Sequence, residues 1–232
     1  MATLLELRNA VTSLIGLPGV PLILQLNSNT RERAFEAYFF GLLVRAIRQV
    51  GGAASATITG IQSGPNPNVV VLRGGPGRLG SKAQDFAYAD CVLDNKRFEV
   101  HVDVQYAGGS GAIHEVDLSI YDHKTAHSIR QSLGAPNTFP ASSKLIGAIE
   151  CKFYDQDLGT HLGRTFVGLL DDCGVLRFKV FVTNGNHSGL AKYFAIDRRP
   201  MRFFDLSPTN VQMESDCVSW LVSELKKWAG LS

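Results

Sequence analysis

The chain has 232 residues, 45% of them apolar and 19% charged, with 23 Lys and Arg against 21 Asp and Glu for a net charge of +2. That is enough apolar material for a substantial core, and the charge balance excludes a histone-like polycation or an acidic disordered tail. The 23 glycines are scattered, so neither collagen nor a Gly-rich disordered segment fits.

The nearest approach to a membrane span, residues 14–26, carries Pro18 and Pro21 and falls short of the ~20 apolar residues a spanning helix needs. Glu6 and Arg8 interrupt the place where a signal peptide keeps its apolar run. Cys91, Cys151, Cys173 and Cys217 lie 60, 22 and 44 residues apart with no CxxC, a spacing that suits neither a zinc site nor a small disulfide scaffold. The expectation is a cytoplasmic protein of a reducing compartment, with no membrane association.

In chain order, residues 1–28 read as a weak helix and a Pro-punctuated apolar stretch. Asn29 is placed to cap the next helix, with Glu32 three positions on. Phe35, Tyr38, Phe39, Leu42, Leu43, Ala46, Ile47 and Val50 recur at helical spacing, and Gly51-Gly52 ends the run. Strands follow at 69–73, 86–93 and 97–106, the last two joined by the turn Asp94-Asn95. In the second of these, Phe98, Val100, Val102 and Val104 alternate with Glu99, His101, Asp103 and Gln105, the pattern of a half-buried strand.

Gly108, Gly109 and Gly111 turn the chain into a strand at 115–121. Residues 123–143 read as a short helix and a loop. A strand at 145–153, a helix at 158–172, a strand at 176–183, a helix at 188–194 and a strand at 201–206 come next. A closing helix at 208–229 carries Val211, Val218, Leu221, Val222, Leu225 and Trp228 on one side. The expected fold is a single α/β domain over 1–232, with a central mixed sheet flanked by helices. Its core spans 30–206, with 1–28 and 208–229 as additions.

Period 2 puts Val116, Leu118 and Ile120 on one face of their strand and Glu115, Asp117, Ser119 and Tyr121 on the other. In the 145–153 strand Ile149, Cys151 and Phe153 share the apolar face, and Glu150 and Lys152 point away. If the two strands pair, Asp117, Glu150 and Lys152 converge. Two carboxylates offer hard oxygen ligands to Mg²⁺ or Mn²⁺. A lysine beside them can orient a water and offset developing negative charge. The same residues also make an ordinary salt bridge on a strand surface.

The order Gly108-Gly109-Ser110-Gly111, Glu115-Val116-Asp117-Leu118, then Glu150-Cys151-Lys152 resembles the D…(E)xK signature of PD-(D/E)XK nucleases, most of all the Mrr-type, restriction-endonuclease-like branch. Phe35-Glu36 is similar to the Glu that the family's opening helix contributes. Asp117 and Glu150 lie 33 positions apart, farther than in compact members, which makes 123–143 an insertion. The resemblance implies that Asp117, Glu150 and the main-chain carbonyl of Cys151 ligate Mg²⁺, with Mn²⁺ as substitute. It implies that Lys152 positions the attacking water and that Glu36 sits at the rim. Glu115 and Asp103 are weaker alternates.

Residues 75–82 come close to a P-loop, but the order Ser81-Lys82 is reversed and Pro76 removes an amide donor. Arg78 and Lys82 in that loop, Arg164 after the lysine strand, and Arg198 and Arg199 are candidate contacts to a phosphate backbone. His123 and His127 lack a third ligand and read as surface histidines. The expectation is a Mg²⁺-dependent endonuclease hydrolysing DNA, as in restriction or anti-phage defence, with targeting through a homodimer or a partner subunit. The alternatives are an RNA nuclease with the same site and a non-catalytic nucleic-acid-binding module.

Overall fold

A computed structural model of the chain describes residues 1–16, 22–28, 30–132, 138–156, 158–174, 176–196 and 199–231. Helix α1 (Leu4–Ile15) is opened by a capping box at Thr3 and Glu6. Strand β1 (Ile23–Leu26) leads into α2 (Arg31–Gly51), whose cap is Thr30: its side chain accepts the Arg33 amide. Asn29, the expected cap, lies outside the described residues. Gly52, at φ +86, ends α2 in a backbone conformation that side-chain-bearing residues rarely adopt.

Strands β2 (Ala56–Gly60), β3 (Gly64–Pro65), β4 (Val69–Leu72), β5 (Ala87–Leu93), β6 (Lys96–Ala107) and β7 (Ile113–Asp122) follow. After them come α3 (His123–Gln131), β8 (Leu145–Lys152), α4 (Thr160–Cys173), β9 (Phe178–Thr183), α5 (Ser188–Phe194), β10 (Met201–Phe203) and α6 (Val211–Ala229). Eight strands form one mixed sheet in the order β10-β9-β8-β7-β6-β5-β2-β3. Pairing is antiparallel from β3 to β8 and parallel from β8 to β10. β1 and β4 make a separate parallel pair, which alternation alone does not announce. Among the described residues no helix is long and apolar enough to cross a membrane.

Helices cover both faces of the large sheet. On one face α1, α2 and α6 pack on Val100, Leu118, Ile149 and Val180. On the other, α4, α5 and Ala126 of α3 pack on Val104, Ala148 and Phe181. The first and last helices therefore belong to the same core as α2, although Val211 at the start of α6 is exposed. Helix α2 is the keel. Phe35, Phe39 and Phe40 are all fully buried, as expected of a helix apolar around most of its circumference. Truncating one of them to Ala should cost about 3–5 kcal/mol.

Two expectations are corrected here. Strand β6 is not half-exposed, because Glu99, His101 and Asp103 are buried along with its valines. It runs through the middle of a sheet covered on both faces, so its polar face is a buried ionic one. Glu99 is held by Arg130, His101 and His123, so His123 is a partner in that cluster and not a surface histidine.

The second correction concerns faces. Val102 and Leu118 pack in the core under α2, whereas Val104 and Val116, their neighbours two residues away, pack in the opposite core. Both strands change face at the same level. Asp103 stands at that point with φ +50, an αL conformation that Asp tolerates better than most residues.

Candidate active site

The face change is what builds the site. The register pairs Val102 with Leu118 and Val104 with Val116, which leaves Asp103 opposite Asp117. Ladder pairing of β7 with β8 begins at Leu118 and Ile149, so Asp117 stands where the two strands part. One of its oxygens, Oδ2, accepts the Cys151 amide at 2.8 Å and the Lys152 ammonium at 3.1 Å. Lys152 Nζ also lies 2.6 Å from Glu150 Oε1. The expected trio Asp117, Glu150 and Lys152 is thus brought together, with the lysine between the two carboxylates.

From the other side α2 brings Glu36 off its second turn. Glu36, Asp103 and Asp117 are all buried, and each offers an oxygen within 4.8 Å of the others. Arg33, one turn earlier on α2, donates from Nη1 to both Glu36 oxygens at 2.9 Å and to Asp103 Oδ1 at 3.0 Å. The second Asp103 oxygen, Oδ2, is buried without a hydrogen-bond partner. A buried carboxylate oxygen left unpaired is costly, and here it belongs to a cluster of three acids. That donor set fits a hard divalent cation.

The electrostatics follow from burial. Glu36 is pushed well above the usual carboxylate range by burial and then by Asp103 and Asp117. Asp103 is raised by burial against the pull of Arg33. Burial and Asp117 likewise raise Glu150, with Lys152 pulling it back. For Lys152 burial works against the charge, but Asp117 and Glu150 more than reverse it, so its ammonium is held firmly protonated. One added positive charge would relieve all three acids at once.

The site opens into a cleft of about 450 Å³ lined by Thr30, Arg33, Glu36, Glu115, Asp117 and Lys152, among others. Cys151 lines it too, but the group it directs at Asp117 is its amide. Glu150 and Asp103 do not line the cleft. They act through Lys152 and within the acidic cluster.

The expected phosphate-contact residues lie elsewhere. Arg78 packs over the Phe139 ring at 4.1 Å and Arg199 over Tyr193 at 4.7 Å. Lys82 and Arg164 are exposed on their own segments, and none of these four lines the cleft. Arg198 lies outside the described residues. Arg33 was not anticipated, although its i, i+3 spacing from Glu36 on a helix is a readable signal.

Comparison with known proteins finds no match: no family model, no curated protein and no solved structure is significantly similar to this chain.

Proposed function

We propose that this protein is a metal-dependent phosphodiesterase that cleaves nucleic acid, DNA in the first instance, on a restriction-endonuclease-like sheet. The observation that carries the reading is the meeting of Asp117 and Lys152 with a second pair of acids, Glu36 and Asp103, at the head of one cleft. Glu36, Asp103 and Asp117 would hold a Mg²⁺ or Mn²⁺ ion. When bound, such an ion supplies Lewis acidity toward a phosphate oxygen and lowers the pKa of a water.

The chain's own residues do the rest. Lys152 is held protonated by Asp117 and Glu150, so it acts as a hydrogen-bond donor and a positive charge and not as a base. It orients a water or a phosphate oxygen and stabilises negative charge as that charge develops. Glu150 aims the ammonium through its 2.6 Å contact. Asp117 keeps one oxygen on the Cys151 amide and Lys152, which fixes its carboxylate plane. The first turn of α2, with Thr30 and Arg33 on the cleft, brings the positive end of the helix to the site, which favours an anionic phosphate.

The test is incubation of plasmid DNA, and of matched single-stranded DNA and RNA, with the full chain and Mg²⁺. Cleavage by wild type that needs the metal and falls roughly a hundred- to a thousandfold in Lys152→Ala supports the reading. Absence of cleavage on every substrate, or equal cleavage by the variant, contradicts it.

A further inference from the structure

The acidic cleft is adjoined by a second one of about 430 Å³, and Tyr154 lines both. Both volumes fall in the range of small-ligand sites, about 300–1,000 Å³. Their chemistry differs. The first holds Arg33, Lys152 and the carboxylates. The second is lined by Gln156, Asn186, Asp205 and Thr209, with the His187 ring and the Asn210 amide in its wall hydrogen-bonded within the chain, and no lysine or arginine lines it. A nucleotide has the same two halves: a charged phosphate, and a flat, uncharged base rimmed with donors and acceptors. Amide, hydroxyl and carboxylate groups are those that read base edges.

Tyr154 is built as a platform. Its backbone is clamped by the buried Asn184, which accepts the Tyr154 amide at 2.9 Å and donates to the Tyr154 carbonyl at 3.1 Å. The main chain is thereby fixed while the residue stays 46% exposed. Among the described residues no aromatic ring packs on it, unlike Phe153 next to it, which meets Phe35. Tyr154 is two residues beyond Lys152, a reach of at most ~7 Å along the chain. Tyr154 and Lys152 line the same cleft, so a base attached beside a phosphate at Lys152 is within reach of the ring.

We propose that the second cleft is a nucleobase subsite in which an unpaired base next to the scissile phosphate stacks on Tyr154. In a continuous duplex both faces of a base are covered by its neighbours, so this stacking requires a base out of the helix. The preferred substrate class is then nucleic acid with single-stranded character at the cut: a single strand, a flap or an overhang. This rests on the phosphodiesterase reading for the place of the phosphate, and its test is separable.

Binding is measured by anisotropy of a fluorescein-labelled single-stranded DNA oligonucleotide and of its blunt duplex, on the full chain with Ca²⁺. Wild type, Tyr154→Ala and Tyr154→Phe are compared. The expected result is a loss of single-strand affinity in Tyr154→Ala of roughly ten- to a hundredfold, the scale of one base–aromatic stack, with Tyr154→Phe close to wild type. An abasic nucleotide walked along the strand should reproduce that loss at one position. Because Tyr154 is half-exposed, the thermal midpoint of Tyr154→Ala serves as a control for folding. Equal binding by wild type and Tyr154→Ala, or no binding of the single strand by wild type, overturns the subsite. If the Tyr154 dependence holds but Mg²⁺ gives no cleavage, the subsite stands and the hydrolase reading falls.

Discussion

Asp103 faces Asp117 across the β6–β7 ladder, at the level where both strands hand their side chains from one core to the other. Without that exchange the two acids would lie on the side of the sheet away from Glu36. Asp103→Asn is therefore an informative substitution. Asn also tolerates the positive φ, so the change removes charge and leaves the backbone in place. The expectation is a more heat-stable apo protein and divalent-cation affinity at least tenfold weaker, read by calorimetric titration with Mn²⁺. Asp103→Ala adds backbone strain of order 1 kcal/mol and should lose part of that gain in stability.

Removal of the Lys152 ammonium leaves Asp117 and Glu150 without their common partner. Breaking a buried ion pair from one side costs about 3–5 kcal/mol. Lys152 retains partial exposure, 19% of its side chain, and solvent screening moves its cost below that range. Lys152→Met should lower the thermal midpoint, and the double variant Lys152→Met/Glu150→Gln should recover most of the loss. A midpoint in the single variant equal to wild type would show that the lysine contributes nothing to holding the site.

Metal binding and pH are coupled through the raised acids. Glu36, Asp103 and Glu150 sit above their ordinary values because burial, and after it the charge of Asp117, disfavours ionisation. The neutral forms favour folding, so this part of apo stability is fully present below the ordinary carboxylate range. It is lost as pH rises through the elevated values. A bound cation reverses the cost by favouring the ionised forms and releases protons as it binds. The increase in thermal midpoint caused by Mn²⁺ should therefore grow from pH 5 to pH 8. A midpoint shift independent of pH would place the ion away from these residues.

The second buried ionic cluster gives a prediction with the opposite sign. Burial opposes ionisation of Glu99, but hydrogen bonds from His101 and Arg130 outweigh it and hold the group down at about 2. Its stabilising contribution is present above the ordinary carboxylate range and is lost as pH falls toward 2. Arg130→Met leaves that charge to His101 and His123, at a cost of about 3 kcal/mol, the lower end for a buried pair broken from one side. For a chain of this size the expected fall in thermal midpoint is roughly 10 °C, with no change in Mn²⁺ affinity, since Glu99 is not among the acids of the cleft.

Much of the frame is legible in local chemistry. The apolar recurrence from Phe35 to Val50 with two following glycines marks α2, and Asp94-Asn95 marks the β5–β6 hairpin, with Asp94 in the αL conformation. Glu150 and Lys152 at i, i+2 foretell a shared face. What local pattern does not carry is the flip at Asp103, because period 2 assumes an uninterrupted pleat and a single αL residue breaks it. Period 2 therefore puts Val116 in the wrong core, and it leaves Asp103 as an alternate although Asp103 belongs to the acidic cluster. Glu99 and His101 look like solvent-facing residues until Arg130, from a helix beyond the next strand, is seen to pair with Glu99, which in turn holds His101. The site is likewise a tertiary fact: Glu36 and Asp117 are 81 positions apart, and only the packing of α2 on the β6–β7 step joins them.

The most direct measurement is a Mn²⁺ titration of the full chain followed by electron paramagnetic resonance of the free ion, at pH 7.5, for wild type and Asp117→Asn. One ion taken up per chain by wild type, with uptake abolished in the variant, is the predicted result. No uptake by wild type, or the same uptake with the Asp117 charge removed, would contradict a cation centre among Glu36, Asp103 and Asp117, and the proposed hydrolysis with it.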